Sequence, residues 1–305
     1  MSDFRTFIYE SQPEPKLQVT LQSTDIESST TRELFIEDLD RLLTLEKSIS
    51  AFKLQCADPS IEKYLQNTLP LFAGKLTRES FYQLGYHWHK HKPSASFPLQ
   101  KTQSDSRYRH HPLRPEKPAG EVYRRTDLDA DLDISFRLLN INEDMPMFTR
   151  WMNDPRVAHF WEQAWSEEKL TEFAQERLAD PHILPLIGEF NGQPFGYIEA
   201  YWVSEDRLSP YYDVQDFDRG IHLLVGEQNF RGPVFFNAWM RAISHYLFID
   251  DNRTQRIVLE PRADNERLFN RILPMGYQKC FEFNFPHKRS ALLMLQRDSF
   301  FKEQW

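Results

Sequence analysis

Apolar positions recur at two different spacings along this chain, and each change of spacing marks an element. In "TRELFIEDLDRLLTLEKSISAF" they fall every third or fourth residue and predict an amphipathic helix, and "SIEKYLQNTLPLFAG" predicts a second. "FRTFIYE" and "KLQVTLQS" alternate with the period of a strand. Further on, "DISFRLLN" (133–140) predicts a strand, "NEDMPMFTRWMND" opens a helix, and "SEEKLTEFAQERLAD" predicts another, with Ser166 as N-cap and Glu168 near its third position. "ILPLIGEFNGQPFGYIEAYWV" reads as two strands around an Asn191-Gly192 turn. The pattern continues with strand "GIHLLVG" (220–226), helix "FFNAWMRAISHYLFID" (235–250), strand "QRIVLEP" (255–261), helix "NERLFNRIL" (265–273), and strands around "YQKCFEFNF" and "SALLMLQ". The order from residue 133 is β, α, α, β, β, β, α, β, α, β, β, which is an α+β domain with a mixed sheet.

Between the two patterned regions lies "KTQSDSRYRHHPLRPEKPAGE" (101–121), rich in proline and charge and without apolar periodicity. It reads as a linker or surface arm, which gives a small non-catalytic α+β domain over 1–100 and a larger domain over 122–305. A chain of 305 residues with 40% hydrophobic content has enough apolar material for two cores. The net charge of −8 argues against nucleic acid or an anionic membrane as partner, because both need a basic face. No apolar run approaches the roughly 18 residues of a membrane span, and "MSDFRTFIYESQPEP" lacks the basic start and apolar centre of an export signal, so the expectation is a cytoplasmic protein. Cys56 and Cys280 form no ligand spacing, and the expectation is reduced, structural thiols without a zinc ribbon. In "YHWHKHK", His87, His89 and His91 would share one face of a strand. No carboxylate or thiol nearby completes a ligand set, so no metal is expected.

Candidate chemistry begins at "VGEQNFRGPVFF" (225–236), where a strand gives way to a helix with Arg231 and Gly232 at the junction. Free N–H groups and the dipole at a helix start attract phosphate oxygens. The order of elements, with a turn and helix directly after the fourth strand, resembles the GNAT acyl-CoA N-acyltransferase fold. More specifically, "GEVYRR", "FTRWMNDPRV", "FDRGIHLLVGEQ", "RTQRIVLEPRADNERLF" and "FPHKRS", in that order, resemble the hydroxamate-siderophore acetyltransferases of the aerobactin type, the N6-hydroxylysine acetyltransferase family. That resemblance implies acetyl transfer from acetyl-CoA to an N-hydroxylated amine, N6-hydroxylysine or a diamine such as N-hydroxyputrescine. Rival readings are an acetyltransferase of ordinary amines and a non-catalytic acyl-CoA-binding module. A homodimer is expected on base rate.

The resemblance also distributes roles. The usual Arg-Gly-x-Gly-x-Gly is here Arg231-Gly232-Pro233-Val234-Phe235-Phe236, a variant phosphate cradle. Asn265 stands where an asparagine follows the fifth strand, and Ile272 stands where a tyrosine often protonates the departing thiolate. Backbone N–H groups of Leu224 and Val225 are expected to meet the thioester oxygen. His222, neutral near pH 7, is the first candidate base, and Glu260, at the end of "IVLEP", is the second. Trp151, Trp161, Tyr201 and Trp202 are expected to line the acceptor slot with Glu199 at its end, and the acidic "SEDRLSPYYDVQDFD" is either a field that draws in a cation or a solvated face.

Overall fold

The computed structural model describes residues 16–19, 29–56, 58–71, 73–103 and 110–303. The chain forms two compact units that part between His87 and Trp88, with residues 301–303 counted in the first.

The first unit holds a three-stranded sheet of Lys16–Val19, Ala51–Cys56 and Lys75–Thr77, its first pair parallel and its second antiparallel. Helix Ser29–Leu45 buries Phe35, Ile36, Leu39 and Leu43, one stripe at helical spacing. Helix Pro59–Thr68 starts where Asp58 accepts the Ser60 N–H at 2.8 Å, with proline at its first position. The buried Arg78 donates to the carbonyls of Ile49, Leu43 and Glu46 at 2.7–2.8 Å, satisfying groups that the end of the first helix leaves open. The expected strand "FRTFIYE" lies outside the described residues.

The second unit is built on an eight-stranded sheet: β1 (Glu121–Asp127), β2 (Leu132–Leu138), β3 (Ile183–Phe190), β4 (Gln193–Trp202), β5 (Arg219–Val225), β6 (Arg256–Leu259), β7 (Gln278–Asn284) and β8 (Arg289–Gln296). Their order is β7-β8-β6-β5-β4-β3-β2-β1, antiparallel throughout except between β5 and β6. Between the strands lie α1 (Ile141–Met152), α2 (Pro155–Trp161), α3 (Glu167–Ala179), α4 (Pro233–Asp250) and α5 (Glu266–Ile272), and a further helix, Arg297–Glu303, follows β8. Ser166 caps α3 as the sequence predicts, and Asn191 and Gly192, at φ 49° and 74°, make the tight turn between β3 and β4. Helices α1 and α3 bury Phe148, Trp151, Leu170 and Phe173 against Tyr197 and Leu224 of the sheet. On α4, Trp239 packs on Phe195 with ring centroids 5.8 Å apart.

Every element expected from residue 133 to 296 is present, and β1 and α2 are additional. β1 escaped notice because Tyr123 and Glu121 are separated by a bulge and the buried Arg125 and Asp127 break the apolar alternation. The expected linker is corrected as well. Residues 88–121 belong to the second unit, and 110–121 are packed there through Arg114 and Lys117, charged side chains that a composition-based reading assigns to solvent. Residues 104–109 of that segment lie outside the described residues. The three-histidine strand face does not form: Gly85–Trp88 is a helical turn, and the unit boundary falls after His87. Cys280 is an exposed free thiol on β7 and no core residue.

Candidate active site

The parallel pair β5 and β6 is in register only at Arg219 with Ile257 and Gly220 with Val258, whereas β5 stays paired with β4 to Val225. From Ile221 onward the two parallel strands diverge and leave a backbone edge open. Gly226 N–H donates to Phe195 O on the β4 side at 2.9 Å, and Leu223 O accepts from Trp161 Nε1 on the other side at 3.4 Å. By alternation, Leu223 and Val225 turn their N–H groups to the opening and Leu224 turns its own to β4. Of the two expected backbone donors, only Val225 turns its N–H to the opening. The Leu224 side chain is core.

His222 stands at the start of this divergence. Its Nδ1 donates to Glu199 Oε2 and its Nε2 to Glu260 Oε1, both at 3.0 Å. Glu199 is directly opposite His222 in the β4–β5 register, and Glu260 follows the last residue of β6. Glu199 also accepts from Arg177 Nε and Tyr197 Oη, each at 3.1 Å. Glu260 accepts from Arg207 at 3.1 Å and from the Lys288 ammonium, which also reaches the Glu260 carbonyl at 2.9 Å. Burial opposes ionisation of Glu260, but the bonds from His222 and Lys288 outweigh it and hold the carboxyl well below its usual range. Burial likewise works against the His222 cation, and the two carboxylates overcome it, raising the imidazole from 6.5 to about 9. Near neutral pH the charged form therefore prevails. The expectation of a neutral His222 is thus corrected: two anionic acceptors require both ring nitrogens to donate.

A cleft of about 1310 Å³ runs along the opening and has two chemically different ends. One end is lined by Arg156, Arg231, Gly232, Asn265, Arg267 and Arg271. Arg231 is exposed, and the neighbouring positive charges of Arg156, Arg267 and Arg271 disfavour its own cation. Gly232 is the N-cap of α4 at φ 139°, a conformation open to glycine, and Pro233 occupies the first helical position. Asn265 caps α5, its Oδ1 accepting the Leu268 N–H at 3.2 Å. Asp264 instead pairs with Arg262 at 3.1 Å. The other end is lined by Arg177, Asp180, His182, Glu199, Asp206, Arg207, His287 and Lys288.

The aromatic slot is corrected in part. Trp161 lines the cleft, as expected. Trp151 is 1% exposed in the core, donates to Glu227 Oε1 at 2.8 Å and fills the space over Gly226. Tyr201 lies buried against Gly220 with its ring 4.6 Å from that of His222, and Trp202 is covered by Arg219 at 3.9 Å. Large aromatics at these spacings fill the core here. The acidic loop is not a solvated field: Glu205 pairs with Arg114, and Asp218 with Arg256. Ile272 lines the cleft, and the nearby Tyr277 is buried with its hydroxyl 3.2 Å from that of Ser244. Elsewhere, His89, His91 and Asp250 bring potential ligand atoms within 4.8 Å of one another. Asp250 already accepts from Arg219 and from the Ser94 N–H at 3.0 Å, and His91 Nε2 meets the Tyr246 hydroxyl at 3.0 Å. These bonds clamp residues 89–94 to the end of α4.

The strand pair thus splays beside a helix start, with cations at one end of the cleft and the partly buried His222 near the other. A family model described as an acetyltransferase (GNAT) domain matches residues 140–285. Acyltransferase ato1 of Omphalotus olearius is 32% identical over 284 residues, covering 84% of this chain and 72% of that protein. The chain belongs to the GNAT acetyltransferase family. N(6)-hydroxylysine O-acetyltransferase of Escherichia coli is 50% identical over 192 residues, 63% of this chain and 61% of that protein. N(5)-hydroxyornithine:cis-anhydromevalonyl coenzyme A-N(5)-transacylase of Beauveria bassiana is 38% identical over 198 residues, 63% of this chain and 43% of that one. This chain therefore spans less than two thirds of either relative. Among solved structures, an aminoglycoside acetyltransferase in complex with coenzyme A superposes with TM-score 0.51 at 20% identity, over 56% of this chain and 99% of that one, and shares the GNAT fold. Within that fold the sequence singled out Arg231, Gly232, His222 and Glu260. It missed Arg156, Arg267 and Arg271, the first two in the opening turns of α2 and α5 and the third in the last turn of α5, a grouping that emerges only when three elements converge.

Proposed function

We propose that the protein is an acyl-CoA-dependent N-acyltransferase that moves an acetyl group from acetyl-CoA to the nitrogen of an N-hydroxylated amine, N6-hydroxylysine or an N-hydroxydiamine, giving a siderophore hydroxamate. The observation that carries this reading is His222, held between Glu199 and Glu260 where the parallel strands part. The relatives named for hydroxylysine and hydroxyornithine supply the acceptor class. A cytoplasmic enzyme without nucleic-acid or metal partners, acting as a homodimer, belongs to the same proposal. No helix among the described residues is long and apolar enough to cross a membrane.

In this reading the arginine end and the start of α4 take the coenzyme A phosphates, with Gly232 leaving the helix start uncovered. The pantetheine arm lies along the open edge of β5, and the Val225 N–H supports the carbonyl oxygen as it becomes an oxyanion. The hydroxylamine nitrogen attacks the thioester carbon, a C–N bond forms, and the C–S bond then breaks. The hydrogen on nitrogen becomes strongly acidic in the tetrahedral intermediate, so a carboxylate weakened by three cations is still sufficient to accept it. It passes to Glu260, which as an acid no longer holds the His222 Nε2 proton, and Nε2 gives that proton to the departing sulfur. Glu260 then returns the proton to His222, and both end as they began. This relay fills the role left open by Ile272. At the other end, Glu199, Asp206 and Arg177 are at hand for the charged tail of the acceptor.

The test incubates the protein with acetyl-CoA and N6-hydroxylysine, N-hydroxyputrescine or N-hydroxycadaverine. The expected result is free thiol and a ferric-binding hydroxamate in equal amounts with at least one acceptor. Binding of acetyl-CoA without thiol release from any of them would overturn the reading in favour of a non-catalytic module.

A further inference from the structure

The proline-rich segment that the sequence presents as a linker carries two charged side chains that are bonded inward. The Arg114 side chain is 3% exposed. Its guanidinium donates to both oxygens of Glu205 at 2.6 and 2.9 Å, to Ser204 Oγ at 2.9 Å and to the Asp216 carbonyl at 2.8 Å. It also lies 4.1 Å over the Trp202 ring. His111 Nδ1 lies 2.9 Å from the Pro112 carbonyl and 3.0 Å from the same Glu205 carboxylate. Three residues further along, Lys117 donates to the carbonyls of Arg177 and Leu178 in the last turn of α3, at 2.7 and 2.5 Å. Burial lowers this ammonium to about 8, with Asp180 acting in the opposite direction.

A tether does not need such groups. Moving a guanidinium out of water is costly unless it is paired, and here it is paired at both nitrogens that face Glu205. What the two anchors have in common is the inner end of the cleft. Arg114 ties the start of the 203–216 loop to its end, and that loop supplies Asp206 and Arg207 to the cleft wall. Arg207 in turn holds Glu260. Lys117 fixes the turn of α3 that supplies Arg177, the partner of Glu199. A cation on the last carbonyls of a helix also matches its dipole. Pro112, Pro115 and Pro118 restrict the backbone around both anchors.

We infer that residues 110–118 are a strap that positions the acceptor end of the cleft, with Arg114 and Lys117 as positioning residues acting through the 203–216 loop and the end of α3. The inference takes the identity of the ligand from the acyl-transfer reading above. The phosphate end is built on α2, α4 and α5, which neither anchor contacts, so the strap sets acceptor affinity and leaves acyl-CoA affinity alone.

The full chain carrying Arg114→Ala or Lys117→Gln tests this in two ways. In steady-state kinetics the KM for the N-hydroxylated acceptor should rise roughly tenfold or more, with the acetyl-CoA KM within about twofold of the unmodified protein. Equal rises in both would overturn the strap, because a merely structural role would loosen both ends. In hydrogen–deuterium exchange, protection should fall in 176–183 and 203–218 and hold in 219–225 and 234–245; unchanged exchange in the first two regions would also overturn it. Failure of the unmodified protein to release thiol would sink the acyl-transfer reading, and the exchange result would still decide the strap. Lys117→Gln leaves no buried carboxylate unpaired and serves where Arg114→Ala does not fold.

Discussion

His222 has no free ring nitrogen in this structure, and that determines how its removal should be read. In His222→Ala, Arg177, Arg207 and Lys288 remain to pair the two buried carboxylates, so the fold should persist. Turnover should fall by about 10²–10⁴-fold, with the acetyl-CoA KM changed little, since the phosphate end does not involve His222. Unchanged turnover would remove His222 from the relay. The pH dependence follows from the raised imidazole. The reactive form is the imidazolium, so turnover should decline as pH rises through about 9. Glu260→Gln removes one of the anions that hold the charge, which lowers the imidazole's pKa and should move the alkaline limb to lower pH. A limb that stays in place would assign it to another group. Stability shares this sign. A folded-state value above 6.5 means that the contribution of the charge is complete below pH 6.5 and is lost as pH rises through about 9. Urea unfolding should show a loss on the order of 1–3 kcal/mol across that window in the unmodified protein, and much less in His222→Asn.

At the scale of elements, the helix start after β5 is decided by one glycine. Gly232 has open space where a Cβ would project, so bulk is not the obstacle to substitution; its φ of 139° is. Gly232→Ala should strain the junction by about 1–3 kcal/mol and raise the acetyl-CoA KM, as Arg231→Ala should by removing a phosphate partner. An acetyl-CoA KM that is unchanged in both would separate the helix start from the cofactor. This element also shows how far the sequence was legible. Helix, strand and turn spacings located the junction, because period and capping residues are local properties. Val234 and Phe236 stand where the usual motif has glycines and make the cradle a variant one, and Val234 is 58% exposed and stands clear of the core. Leu224 and Val225 could not be told apart in sequence, since the strand pairing that decides which N–H is free lies in β4, more than twenty residues away.

Across the whole molecule, the parts that escaped the sequence are buried charges. Arg114, Arg125, Glu205 and Asp218 look like surface residues in composition and patterning, and each is buried or paired inside the second unit. Their partners lie far along the chain, as Arg114 and Glu205 do, so no window of sequence contains the pair. The same blindness made a linker of the 110–118 strap and a neutral base of His222. The aromatic residues erred the other way: Trp151, Tyr201 and Trp202 looked like a slot and form core, because neither the period of helix α1 nor the alternation of strand β4 says which face meets a neighbouring element. The family and the cleft were legible; the charge state at its centre was not. The central claim is that this centre acylates an N-hydroxylated nitrogen. At pH 7.4 only about one lysine side chain in a thousand is unprotonated, with a pKa near 10.4, whereas a hydroxylamine is largely neutral and ready to attack. The most direct measurement is the ratio of kcat/KM for N6-hydroxylysine to that for lysine, with acetyl-CoA saturating at pH 7.4. The account predicts a ratio on the order of 10²–10³, and a ratio near unity would contradict it.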